Sequence, residues 1–116
     1  MIELELPWPP SVNHYWRHVR GATLISREGR TYRMLVLAAW LQAGRPRVDG
    51  RLALTILAHA PDRRRRDLDN IAKAPLDALA KAGVYADDSQ IDRLVITRGG
   101  VDVERPRIVI GIAVRT

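Results

Sequence analysis

The densest concentration of chemically capable side chains runs Asp62-Arg63-Arg64-Arg65-Arg66-Asp67-Leu68-Asp69-Asn70-Ile71-Ala72-Lys73. Within it, Asp67 and Asp69 are two residues apart. On a helix they would project about 200° from each other, whereas on an extended segment they share a face. An Asp-x-Asp pair on the extended entry to a helix can therefore converge on one cation. Asp87-Asp88 follows the next helical stretch and returns further carboxylates toward the pair. Carboxylates forced together repel and raise one another's pKa unless a divalent cation neutralises them. Mg²⁺ suits such a set, because it takes oxygen ligands in near-octahedral geometry and keeps several waters. An ion so held binds a phosphate oxygen, generates a hydroxide nucleophile and offsets charge on a leaving oxygen. Lys73, four residues beyond Asp69, would orient the attacking water or stabilise the transition state. Structural readings stand beside these. Asp69 or Asn70 would cap a helix, and Lys73 would pair with Asp69 for about 0.3–0.5 kcal/mol.

The arginines Arg63, Arg64, Arg65 and Arg66 adjoin the carboxylates, and guanidinium forks match phosphate geometry. That juxtaposition points to a nucleic-acid backbone as ligand. A second basic group, Arg17, Arg20, Arg27, Arg30 and Arg33, is interleaved with Tyr15, Trp16 and Tyr32, a pattern that fits a nucleic-acid surface, although Tyr32 also fits the core. His14 and His18 are four apart, but a hairpin would not keep helical spacing, so they are not expected to be metal ligands. His59 reads as a strand residue.

The elements that must position these groups follow from periodicity. Ile2, Leu4 and Leu6 alternate as a strand that stops at Pro7-Trp8-Pro9-Pro10. Tyr15 to Val19 and Ala22 to Ile25 flank Arg20-Gly21 as a hairpin. Ser26 is placed to cap a helix reaching about Ala43, with Tyr32, Leu35, Val36, Ala39 and Trp40 on one face. Leu52 to Leu57 is another strand. Leu68, Ile71, Ala72, Leu76, Leu79 and Ala82 form a helical stripe ending at Gly83, with Pro75 expected to kink the helix or confine its regular part to the residues beyond. Leu94 to Thr97 and Ile108 to Val114 are the last strands. The order β-α-β-α-β-β, with the hairpin added, predicts an α+β fold: a mixed sheet with two main helices in one domain spanning residues 1–116.

Composition sets the boundaries. With 116 residues and 47% hydrophobic content the chain has enough apolar material for one core. It has no cysteine, so disulfides, zinc ribbons and thiol nucleophiles are excluded, and a reducing cytoplasm suits it. No stretch approaches the ~20 apolar residues of a membrane span, and the N-terminus lacks a signal-peptide core. The net charge is +6, from 19 Lys+Arg against 13 Asp+Glu. All but two of the cations are Arg, which a GC-rich genome would itself produce. Seven of the acids nevertheless cluster between Asp62 and Asp92, so an acidic middle is set in a positive field, as a cation site beneath a docked polyanion would be.

Three ordered motifs resemble the RusA-type Holliday junction resolvases: Leu6-Pro7-Trp8-Pro9-Pro10-Ser11-Val12-Asn13, then Pro61-Asp62 through Asp69-Asn70, then Asp77-Ala78-Leu79 through Lys81-Ala82-Gly83 to Asp87-Asp88. The resemblance spans nearly the whole chain. It implies a homodimeric, Mg²⁺-dependent endonuclease of recombination and repair that resolves four-way DNA junctions by paired symmetric nicks. It places the essential carboxylates on Asp67, Asp69 and Asp88, the catalytic lysine on Lys73, a DNA contact on Arg66, and supporting roles on Asn13 and Asn70. Arg63, Arg64, Arg65, Arg17 and Arg20 are the further expected DNA-binding residues. The alternatives are a basic module that binds branched or duplex DNA without cutting it, and a nucleotide-sugar transferase using Asp-x-Asp.

Overall fold

The computed structural model describes residues 1–115. Its elements are β1 (Ile2–Pro7), α1 (Val12–Tyr15), β2 (Trp16–Val19), β3 (Ala22–Ile25), α2 (Arg27–Gln42), β4 (Leu52–His59), α3 (Leu68–Ala82), a 3₁₀ turn (Asp88–Gln90), β5 (Ile91–Arg98) and β6 (Arg107–Val114). Four strands form one sheet in the order β1-β6-β4-β5. β6 runs antiparallel to both its neighbours, and β4 pairs β5 in parallel, with α3 in the crossover between them. The fold is α+β with a mixed sheet, as expected. No helix among the described residues is long and apolar enough to cross a membrane.

Alternation along β4 shows how the sheet is used. Leu52, Leu54, Ile56 and Ala58 are buried while Thr55 and Leu57 are exposed, so one face packs and the other meets solvent. α2 lies against β1 and α3, and α3 against β5. Tyr32 and Val36 supply the buried face of α2, but Leu35 is exposed. That helix covers the margin of the sheet, so its buried stripe is narrower than the hydrophobic spacing implied.

At Pro75 one of the two expectations fails: α3 is continuous from Leu68 to Ala82, rather than regular only past the proline. Pro75 itself is buried, together with Ile71, Ala72, Ala74, Leu76, Ala78 and Leu79. A helix-interior proline costs about 3 kcal/mol, and burying a few side chains at about 1.5–3 kcal/mol each outweighs it. The helix ends as predicted. Gly83 takes the left-handed conformation at φ 107°, and Val84 N–H donates to Leu79 O at 3.1 Å.

The segment between β1 and α2 folds back on the helices. A one-turn helix, α1, was not anticipated; Tyr15 belongs to it, and the hairpin starts one residue later at Trp16. Arg20 and Gly21 both have positive φ, 50° and 79°, which gives the two-residue hairpin turn whose twist matches its strands. Ser26 caps α2 by accepting from Gly29 N–H at 2.9 Å, and its hydroxyl donates to Tyr15 O at 2.8 Å. Gly29 is required here, because a Cβ would overlap the Tyr15 carbonyl oxygen and approach Ile25 Cγ1 to 2.7 Å.

Three helices meet at one polar cluster. Arg33 of α2 donates to Asp77 Oδ2 of α3 from Nε at 3.0 Å and from Nη2 at 2.8 Å. Tyr15 of α1 donates its hydroxyl to the same carboxylate oxygen. The guanidinium lies 5.8 Å from the Tyr15 ring centre and 5.9 Å from that of Trp16. Burial, then the bond to Asp77, raises the Tyr15 pKa well above its usual value. Tyr15 and Arg33 are therefore structural, the tyrosine buried and the arginine neutralised, which corrects their reading as part of a nucleic-acid surface, while Tyr32 is buried as its core reading expects.

Two stability predictions follow from this packing. Gly29→Ala should lower unfolding stability by about 2 kcal/mol in urea titration, since overpacking costs more than the ~1 kcal/mol gain in helix propensity. Asp77→Ala should cost about 2 kcal/mol, below the full penalty for a buried pair because both partners are partly exposed. Replacing Arg33 by Leu in the same chain should recover part of that loss; a double variant no more stable than Asp77→Ala would contradict the pairing.

Candidate active site

The carboxylates and arginines come together where β4 hands over to α3. The connecting loop is ordered by Asp62, which accepts from Arg64 N–H at 3.0 Å and pairs with Arg66 Nη2 at 2.8 Å. The Arg64 N–H first, and then Arg66, hold the Asp62 carboxyl below its usual pKa range. Arg66 also lies over the Trp8 ring, 5.5 Å from its centre, and its carbonyl accepts from Arg98. Much of the Arg66 side chain is thus spent on holding the loop. Arg63, Arg64 and Arg65 project into solvent.

An open groove of about 710 Å³ lies at the start of α3. It is lined by Trp8, Asn13 and His14 from the segment after β1, and by the arginine loop with Asp67 and Asn70. Asp67 is the N-cap residue, with extended backbone at φ −83° and ψ 136°, yet its side chain makes no capping bond. Asp69 already lies in the first helical turn, so the pair does not share an extended entry as the spacing suggested. Neither carboxylate has an ion-pair or hydrogen-bond partner among the described residues.

The third carboxylate is set by the turn after α3. Asp87 accepts from Ser89 N–H at 2.9 Å, and Gln90 completes a capping box. This bond to Ser89 is the first cause of its lowered pKa. Asp88 is left free of that duty, and Lys73 Nζ lies 3.9 Å from its Oδ2. Lys73 therefore pairs with Asp88 rather than with Asp69. Among the described residues no three His, Asp or Glu side chains are close enough to enclose a metal ion. The donor set nevertheless has the chemistry a hard divalent cation needs, since among the described residues Asp67 and Asp69 have no hydrogen-bond partner, and Asp88 faces Lys73 and its neighbour Asp87.

The remaining candidates separate by position. Asn13 and Asn70 both border the groove, one from α1 and the other from the first turn of α3. Arg17 and Arg20 are exposed on the hairpin and border neither this groove nor the one beyond the arginine loop. Each histidine has a local partner: His14 pairs with Ser11 Oγ at 3.0 Å, His18 with Thr23 Oγ1 at 3.2 Å, and His59 with Gly100 O at 2.8 Å. Two residues escaped the sequence reading, Trp8 as a groove wall and Arg98 as a neighbour of the arginine loop. Arg98 was recoverable in principle, because ligands gather at the carboxyl ends of parallel strands and β5 ends there beside β4.

Residues 7–113 match the family described as endodeoxyribonuclease RusA. The crossover junction endodeoxyribonuclease RusA of Shigella sonnei (strain Ss046) is 45% identical over 106 residues, covering 84% of this chain and 86% of the relative. Proteins of the same name from Escherichia coli (strain K12) and Enterobacteria phage 82 are each 44% identical over the same shares. With its arginine loop, its unengaged aspartates at the start of α3 and this extent of similarity, the chain belongs to the RusA family of endodeoxyribonucleases.

Proposed function

We propose that this chain resolves four-way DNA junctions: a two-fold homodimer, each subunit a single nuclease domain over residues 1–116, cuts two opposed strands with the aid of Mg²⁺. The observation that carries the reading is Asp67, an N-cap residue that does no capping and instead borders a groove with Arg64, Arg65 and Arg66. A carboxylate left unengaged beside so many guanidiniums has a use only when a cation and a phosphate are brought between them.

Asp67, Asp69 and Asp88 are the residues that would hold Mg²⁺, which when bound supplies an activated water and charge neutralisation at phosphorus. The protein's own contributions are distinct. Arg63, Arg64 and Arg65 seat the backbone by forked hydrogen bonds to phosphate oxygens. Arg66, braced by Asp62 and Trp8, keeps the loop in the shape that presents them. Asn13 and Asn70 offer amide donors and acceptors from α1 and α3 and orient the strand in the groove. Lys73, held near Asp88, places a positive charge where negative charge grows as a water oxygen bonds to phosphorus and the bridging P–O bond breaks. Arg17 and Arg20 on the hairpin meet an outlying stretch of the same DNA. Two-fold symmetry duplicates the site, which matches the two-fold symmetry of a four-way junction.

The competing reading is a basic module that binds branched DNA without cutting, and the lack of a closed three-carboxylate cluster among the described residues favours it. One experiment separates them. In Mg²⁺ the wild type should nick a synthetic four-way junction in opposed strands, and a chelator should abolish nicking while leaving the gel shift. Asp69→Asn should bind the junction within about threefold of wild type and lose at least ~100-fold in nicking rate, the scale of losing electrostatic stabilisation of a transition state. Near-wild-type cleavage by Asp69→Asn would falsify the carboxylate assignment, and a gel shift without nicks from the wild type would establish the binding module.

A further inference from the structure

The arginine loop stands between two grooves, and only one of them contains an unengaged carboxylate. The first holds Asp67. The second, of about 400 Å³, lies on the sheet side of the loop, near the carboxyl ends of β4 and β5. Trp8 and the residues Arg64, Arg65 and Arg66 border both, so the loop is shared between the two grooves.

The chemistry of the second groove is lopsided. Five guanidiniums border it, those of Arg63 to Arg66 and of Arg98, against one carboxylate, Asp62. Asp62 is already engaged by Arg64 and Arg66. Arg98, at the end of β5, spends one nitrogen on the main-chain carbonyl of Arg66 and has no carboxylate partner among the described residues. Nor does Arg63. Gly99 N–H donates to Ala58 O at 2.8 Å, which ties the β5 exit to β4 and fixes where Arg98 leaves the sheet. Trp8, Ala58, Ile71 and Val101 give the groove an apolar lining, and the guanidiniums around it suit phosphate oxygens. It lacks an unengaged carboxylate to recruit a metal, so a backbone lying there is held and not cut.

We infer that this groove binds the phosphate backbone of a second DNA strand, which leaves the branch point uncut while its neighbour lies in the Asp67 groove, and that Arg98 anchors it. The inference rests on the junction-cutting reading above. Because the loop borders both grooves, two backbones that diverge at a branch point can occupy them side by side. The second groove therefore acts on the preference for junction over duplex.

The test measures binding of a labelled four-way junction and of a linear duplex of the same sequence, in chelator, across a range of salt. Arg98→Ala should weaken junction binding about fivefold and reduce the slope of log K against log salt by about one, with a loss under about twofold on duplex. Arg98→Gln, which keeps a donor for the Arg66 carbonyl but removes the charge, should behave the same way, so a folding defect in Arg98→Ala does not decide the outcome. Arg98→Lys should restore most of the affinity. Arg47→Ala, an exposed arginine bordering neither groove, should match wild type. Unchanged junction affinity and slope, or equal losses on both DNAs, overturns the inference. A wild type that nicks junctions in Mg²⁺ while both Arg98 variants bind normally sinks the second groove alone. A wild type that binds without nicking sinks the cutting reading, and the junction-to-duplex comparison still judges the groove.

Discussion

A single carboxylate in the middle of α3 governs how the site is assembled. Asp77 draws in the Arg33 guanidinium from α2 and the Tyr15 hydroxyl from α1, and so fixes the short helix carrying Asn13 and His14 against the long helix carrying Asp67, Asn70 and Lys73. This tie adds to the contact of Arg66 with Trp8 in joining the elements that border the first groove. The cluster is only partly open to solvent, where an ion pair with several hydrogen bonds resists separation better than a fully exposed one. Ser26 and Gly29 add to the same joint, one bonding and the other making room for the Tyr15 carbonyl.

The second constraint is the arginine loop itself. Four consecutive guanidiniums repel one another, and a loop carrying them would fray unless anchored. Asp62 supplies that anchor through Arg64 N–H and Arg66, Trp8 packs against the Arg66 guanidinium, and Arg98 binds its carbonyl. The anchoring consumes Arg66 and frees the side chains on either side. A similar division of labour appears at Asp87-Asp88, where the first aspartate caps the 3₁₀ turn and the second is left facing Lys73. Adjacent residues of one type do different work because the backbone turns between them.

Most of the secondary structure was legible from the chain. Alternation at Ile2, Leu4 and Leu6, the Ser26 cap and the Gly83 stop each depend on interactions within a few residues, and each element appears where its signal lies. What misled were features whose meaning depends on distant partners. Tyr15 and Arg33 carry the composition of a nucleic-acid surface, but α3 supplies Asp77 from 44 residues beyond Arg33 and turns both inward. Pro75 leaves open a kink or a helix regular only beyond it, and burial of the surrounding apolar residues keeps the helix continuous through it.

For the candidate site the same boundary holds. Residue types and order alone determined that aspartates, a lysine and a run of arginines occur at spacings suited to phosphate chemistry, because those motifs are local and their charges are intrinsic. Only the tertiary structure decided which charges are already spent. Asp77 is engaged by Arg33 and Tyr15 from distant elements and Asp88 faces Lys73, whereas Asp62 and Asp87 are engaged by neighbours two to four residues away. It also decided that Arg98 joins the arginine loop, since parallel pairing of β4 with β5 aligns Ala58 with Arg98 across 40 residues of intervening chain. Charge is written into a residue, but its availability depends on what the fold places beside it.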